Sequence, residues 1–125
     1  MKAKKIPFEF VMEELDRVYP RVRPMFGCYA VYVGEKIVLI LRDRKDHTDD
    51  NGVWLATNHE HHQSLKKEFP CMRSIRLFGK VETVWQNIPL DADDFEELVI
   101  KACGLILKGD LRIGKIPKQK REKKG

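Results

Sequence analysis

Apolar and polar positions follow two rhythms along this chain, and the rhythm changes at prolines and glycines. Phe8, Val11, Met12, Leu15 and Val18 recur every three or four residues, with Glu9, Glu13, Glu14 and Asp16 turned the other way. Such a stripe buries one side of a helix, which predicts a helix over residues 7–18 stopped by Pro20. Phe95, Leu98, Val99, Ala102 and Ile106 repeat the pattern up to Gly109. Asp93 and Glu96 have the spacing of a capping box, as do Thr57 and Glu60 ahead of a middle helix over residues 58–68.

Between the helices the period is two. Residues 28–33 (CYAVYV) and 37–41 (IVLIL) flank Gly34-Glu35. A Gly-x pair suits a two-residue type II′ turn, so Val33 pairs with Lys36, Tyr32 with Ile37, Val31 with Val38, Ala30 with Leu39 and Tyr29 with Ile40. Alternation then places Ala30, Tyr32, Ile37, Leu39 and Leu41 on one face and Tyr29, Val31, Val38 and Ile40 on the other. Both faces are apolar. An antiparallel sheet wetted on one side shows a polar face there, so the second face needs a cover, either the chain's own helices or another subunit. Tyr29, Val31, Val38 and Ile40 are therefore one candidate interaction surface, the opposite hairpin face is the other, and a homodimer is the expected assembly.

Residues 42–52 (RDRKDHTDDNG) read as a charged surface loop before a third strand at residues 53–56. Residues 73–78 and 81–88 read as a second hairpin around Gly79-Lys80. The predicted order is α-β-β-β-α-β-β-α, an α+β two-layer domain with an antiparallel sheet. The domain spans residues 1–109. Residues 110–125 form a basic, mostly disordered tail, in which Leu111, Ile113 and Ile116 are placed to pin the first part to the body.

Charge sharpens that division. The chain of 125 residues carries a net +5, yet residues 108–125 hold eight Lys/Arg against Asp110 and Glu122, leaving residues 1–107 near neutrality. Basicity belongs to the tail. Lys115, Lys118, Lys120, Arg121, Lys123 and Lys124 are candidate phosphate contacts for a nucleic acid, sequence-blind and salt-dependent. A second candidate is a convergence of Arg21, Arg23, Arg73 and Arg76 beside Trp85 to receive an anion or a base. The ordinary alternative is that these arginines are the polar face of strands. No apolar run approaches the ~18 residues of a membrane span, and the start of the chain is not an apolar leader, so the expectation is a cytoplasmic protein with no membrane partner. Cys28, Cys71 and Cys103 are odd in number and lack a C-x-x-C pair, which reads as reduced thiols.

Catalytic signals are sparse. His59-Glu60-His61-His62-Gln63 is one residue short of the H-E-x-x-H zinc motif, because Gln63 stands where the second histidine belongs. His59 and His62 remain a candidate metal pair without identifiable further ligands, although a polar first helical turn explains the string equally. Asp43, Asp46, Asp49 and Asp50 lack calcium-loop spacing. G-x-S-x-G, P-loop and G-x-G-x-x-G patterns are absent, so no enzyme and no cofactor is expected.

Residues 23–41 (RPMFGCYAVYVGEKIVLIL) resemble the R-x-M-F-G-G-x-G-x-Y-x-x-G-x-x-F-A-L pattern that opens the TfoX N-terminal-like family, and the order of elements is similar over residues 6–108. The resemblance implies a small α+β fold laid out like type III secretion chaperones. It also implies a regulatory or protein-interaction module without a catalytic site. In that pattern Met25-Phe26 would seat the start of the first strand in the core, Gly27 would permit close backbone approach, and Gly34 would make the turn.

Overall fold

The computed structural model describes residues 6–76 and 84–117. Along the chain run α1 (Phe10–Glu14), β1 (Arg21–Met25), β2 (Cys28–Val33), β3 (Lys36–Arg42), β4 (Gly52–Leu55), α2 (His62–Glu68), β5 (Arg73–Ser74), β6 (Gln86–Pro89) and α3 (Phe95–Leu107). The six strands form one antiparallel sheet in the order β1-β2-β3-β4-β6-β5. The α+β class follows from tight hairpins, which can join only antiparallel neighbours.

β1 is a sixth strand beyond the five predicted. It closes on β2 through a two-residue turn, with Met25 opposite Cys28 and Arg21 opposite Tyr32. In that register Pro24 turns its backbone away from β2, so its missing N–H costs no ladder bond. Phe26 and Gly27 form the turn with φ of +50° and +78°, the positive pair that a type I′ turn requires. Phe26 consequently points outward and is 90% exposed, which corrects its predicted seat in the core. Gly34, at φ +61° and with open space around it, makes the next turn as expected.

The β2–β3 hairpin begins in the predicted register, Val33 with Lys36 and Tyr32 with Ile37, and then shifts, so that Val31 pairs with Leu39 and Tyr29 with Leu41. A bulge inserts Val38, and one extra residue reverses the side of everything beyond it. Tyr29, Val31, Val38, Leu39 and Leu41 join the core beneath the helices, whereas Ile40 joins Cys28, Ala30 and Ile37 on the opposite face. The predicted faces therefore hold only as far as the bulge.

The first predicted helix is realised as α1 followed by a 3-10 turn over Asp16–Val18, with Val11 and Leu15 buried. The middle one begins as a 3-10 turn, His59–His61, before α2. Neither predicted capping box forms: no side chain caps these helix starts, and Thr57 is itself buried.

Val11, Leu15, Leu65, Phe95, Val99 and Ile106 cover the first sheet face. On the second face Cys28, Ala30, Ile37, Ile40, Trp54, Ala56 and Ile75 are all buried within the single chain. Among the described residues, no helix contributes to that buried cluster or to the side chains packed on it. Trp85 packs on Trp54 with ring centroids 6.1 Å apart, and the Trp54 Nε1–H donates to the Asp50 carbonyl at 2.8 Å. The requirement for a second copy to cover this face is thus removed.

The C-terminal segment completes the fold. Ile37 and Lys115 exchange backbone hydrogen bonds, and the Gly114 N–H donates to the Ala56 carbonyl at 2.7 Å. Ile113 is 3% exposed. Arg112 pairs with Asp110 at 2.8 Å and with Glu68 at 3.3 Å, tying the segment to α2. The predicted boundary at residue 109 coincides with no structural break.

Candidate functional site

The sequence-predicted residues separate in space. Val31, Val38 and Ile40 are buried and Tyr29 is half-buried, so the four do not make one exposed surface. The physical reason is the bulge together with the two covered sheet faces. Lys115 is half-buried along β3, while Lys118, Lys120, Arg121, Lys123 and Lys124 lie outside the described residues, as does Gly79-Lys80.

The four arginines do not converge. β1 and β5 are opposite edges of the sheet. Arg73 and Arg76 are engaged with the loop before β4: Arg73 pairs with Asp50 at 3.5 Å and donates to the Asp49 carbonyl, and Arg76 pairs with Asp49 at 3.4 Å. Arg21 and Arg23 leave β1 on the face that carries Met25 and the Trp85 groove, because side chains alternate. The guanidinium of Arg21 lies 5.5 Å from the Tyr32 ring centroid and donates to the Gly34 carbonyl at 2.7 Å. Arg23 is exposed and makes no side-chain hydrogen bond or ion pair among the described residues.

The histidine string is a surface cluster. The His59 and His62 rings stand 4.9 Å apart, and the His62 Nε2–H donates to the Val84 carbonyl at 3.1 Å, which commits that nitrogen. His61 contacts Glu60 at 3.3 Å. Among the described residues no group of three or more His, Cys, Asp or Glu is placed to hold a metal. Burial pushes the Cys103 thiol up to about 12 and raises Cys28 and Cys71 as well, which suppresses the thiolate that nucleophilic chemistry needs.

The sequence reading missed a buried polar brace. The loop is a surface feature only over residues 43–49, since Arg42 is 2% exposed and Asp50 1%. Arg42 donates to the His47 carbonyl at 2.9 Å, to Asn51 Oδ1 at 2.7 Å and to the Asp46 carbonyl at 3.0 Å. Asp50 accepts the Arg76 backbone N–H at both carboxylate oxygens, 2.9 and 3.0 Å. The alternation of β3 carries the signal, because Arg42 follows Ile40 on one side of a strand that is apolar from residue 37 to residue 41.

What the fold leaves outward is the β1 edge. Tyr19, at φ +55°, precedes it with 84% exposure, and Phe26 follows it. Both occupy the left-handed region that β-carbon sterics disfavour. Beside β1 on the second face lies a cleft of about 480 Å³ lined by Met25, Tyr32, Ile37, Trp85, Lys115 and Pro117, among others.

No family model matches the chain, and no curated protein or solved structure matches it either. Among the described residues no helix is long and apolar enough to cross a membrane.

Proposed function

We propose that this chain is a non-enzymatic interaction module of regulatory type, monomeric by itself, whose binding surface is the β1 edge with its two flanking aromatics. The observation that carries this reading is the pair Tyr19 and Phe26, turned to solvent at 84% and 90% exposure from backbone conformations that disfavour them. Strained, outward aromatics beside arginines have the composition of an interface hot spot. The likeness of residues 23–41 to the TfoX N-terminal pattern supports the same class of role.

Self-association, the competing reading, is opposed at this edge. Pro20 and Pro24 lack N–H groups and so interrupt the donors a second strand would need. Two antiparallel copies would also set Arg21 and Arg23 against their own like charges. The partner is therefore held by side chains, not by strand addition.

Photocrosslinking in living cells tests this, with benzoylphenylalanine placed at position 26 and, as a control, at Ile100 on the helical side. The expected result is a heterologous adduct from position 26 that exceeds the control. An adduct of two copies of the chain alone, or none above the control, overturns the reading.

A further inference from the structure

We infer that the second-face cleft is a site for single-stranded nucleic acid, with bases stacked against Tyr32 and Trp85 and phosphates held by Arg21, Arg23 and Lys115. This inference goes beyond the interaction-module reading, since it concerns the second-face cleft and not the aromatics that flank the β1 edge.

Three observations converge on that class. The cleft of about 480 Å³ has two aromatic side chains in its wall, and Tyr32 already receives a cation on its ring, Arg21 at 5.5 Å. Every base offers a π-face to such a wall, whatever its identity. Among the described residues that line the cleft, the one charged side chain is a cation. Lys115 lines it, while Arg21 and Arg23 project from the neighbouring strand on the same side, Arg23 with no acidic partner among the described residues.

The near-neutral charge of residues 1–107 hides this polarity. Exposed carboxylates gather on the helical side, at Glu13 and Glu14 of α1 and at Glu96 and Glu97 of α3. Of the loop acids, Asp46, Asp49 and the buried Asp50 are matched by Arg42, Arg44, Arg73 and Arg76, while Asp43 is exposed and has no ion pair among the described residues. From Pro117, a residue of the cleft wall, the sequence continues directly into Lys118, Lys120 and Arg121. An anionic polymer carrying flat rings complements all of these together. A duplex does not, because its bases are stacked on one another and a recess cannot reach them.

The test uses the full chain and fluorescein-labelled 12-nucleotide oligo-dT and oligo-U, followed by anisotropy at low salt. Arg23→Glu, at an exposed position, and Trp85→Ala should each weaken binding about tenfold or more, whereas Ile100→Glu should leave it unchanged. The dT and U arms separate a DNA from an RNA preference. If replacing Lys118, Lys120, Arg121, Lys123 and Lys124 together by Ala abolishes binding while Arg23→Glu has no effect, the tail binds alone and the cleft assignment is wrong. Absence of binding to either oligonucleotide overturns the inference. In that case, a protein adduct from position 26 would still leave the interaction-module reading standing.

Discussion

Ile37 and Lys115 exchange reciprocal backbone hydrogen bonds, each 2.9 Å, where β4 has ended and β3 would otherwise offer a bare edge. The segment after α3 is therefore part of the sheet. Ending the chain at Gly109 exposes that edge and removes Ile113, whose burial alone contributes about 1.5–3 kcal/mol. Urea denaturation should show a loss of about 3 kcal/mol or more for that truncation.

Glycine substitutions should rank by what the new β-carbon meets. At Gly52, φ +145°, it would lie 2.1 Å from the Ile88 carbonyl and 2.6 Å from Asn87 Oδ1, inside the β4–β6 ladder. At Gly27 it would meet the flexible guanidinium of Arg44, and at Gly34 nothing. Gly52→Ala should lower stability the most, by roughly 3 kcal/mol, and Gly34→Ala the least, by roughly 1 kcal/mol of backbone strain. Thermal denaturation of the three variants checks the order.

Arg42 braces the loop from within. Arg42→Ala strands the His47 and Asp46 carbonyls and leaves Asn51 Oδ1 with the Arg44 N–H alone, at a cost of about 3 kcal/mol. Arg42→Lys should recover little of this, since one ammonium cannot span the three acceptors. Hydrogen exchange of residues 43–51 should rise sharply in both variants.

Acid should loosen the C-terminal segment first. The hydrogen bonds from Arg112 hold the Asp110 carboxyl down at about 2, and those from Lys101 and then Arg112 lower Glu68 as well. A depressed carboxylate stabilises the fold fully above the ordinary range near ~4 and loses that contribution as pH falls through its folded value. Asp110→Asn should cost about 1 kcal/mol at pH 7 and flatten the stability profile between about pH 4 and 2. Urea midpoints across that range measure both.

How much of this was legible in the sequence depended on whether a signal was local. The Gly34-Glu35 turn, the stripe of α3 and the α+β class follow from residues close together in the chain. The bulge at Val38 does not, because nothing in an unbroken run of apolar residues marks where two of them will share a side. β1 was legible but overlooked: Arg21-Val22-Arg23 alternates, and Pro24 argues for an edge, not against a strand. The arginine cluster failed for a topological reason. Residues near in composition sit on opposite edges of a sheet whose order sequence spacing does not determine. Phe26 illustrates the converse, since the family-like pattern seats it in the core while the turn geometry of Phe26-Gly27 sends it outward.

The fold holds Phe26 outward, at a φ of +50° and 90% exposure, at a cost to its own stability. Asn-Gly is the preferred pair for a type I′ turn, and relieving a left-handed Phe contributes about 1 kcal/mol. The urea midpoint of Phe26→Asn is the most direct test. We predict a midpoint above that of the parent chain, with an unchanged slope. A lower midpoint would contradict the claim, because it would mean that the ring supports the fold and is not kept for a partner.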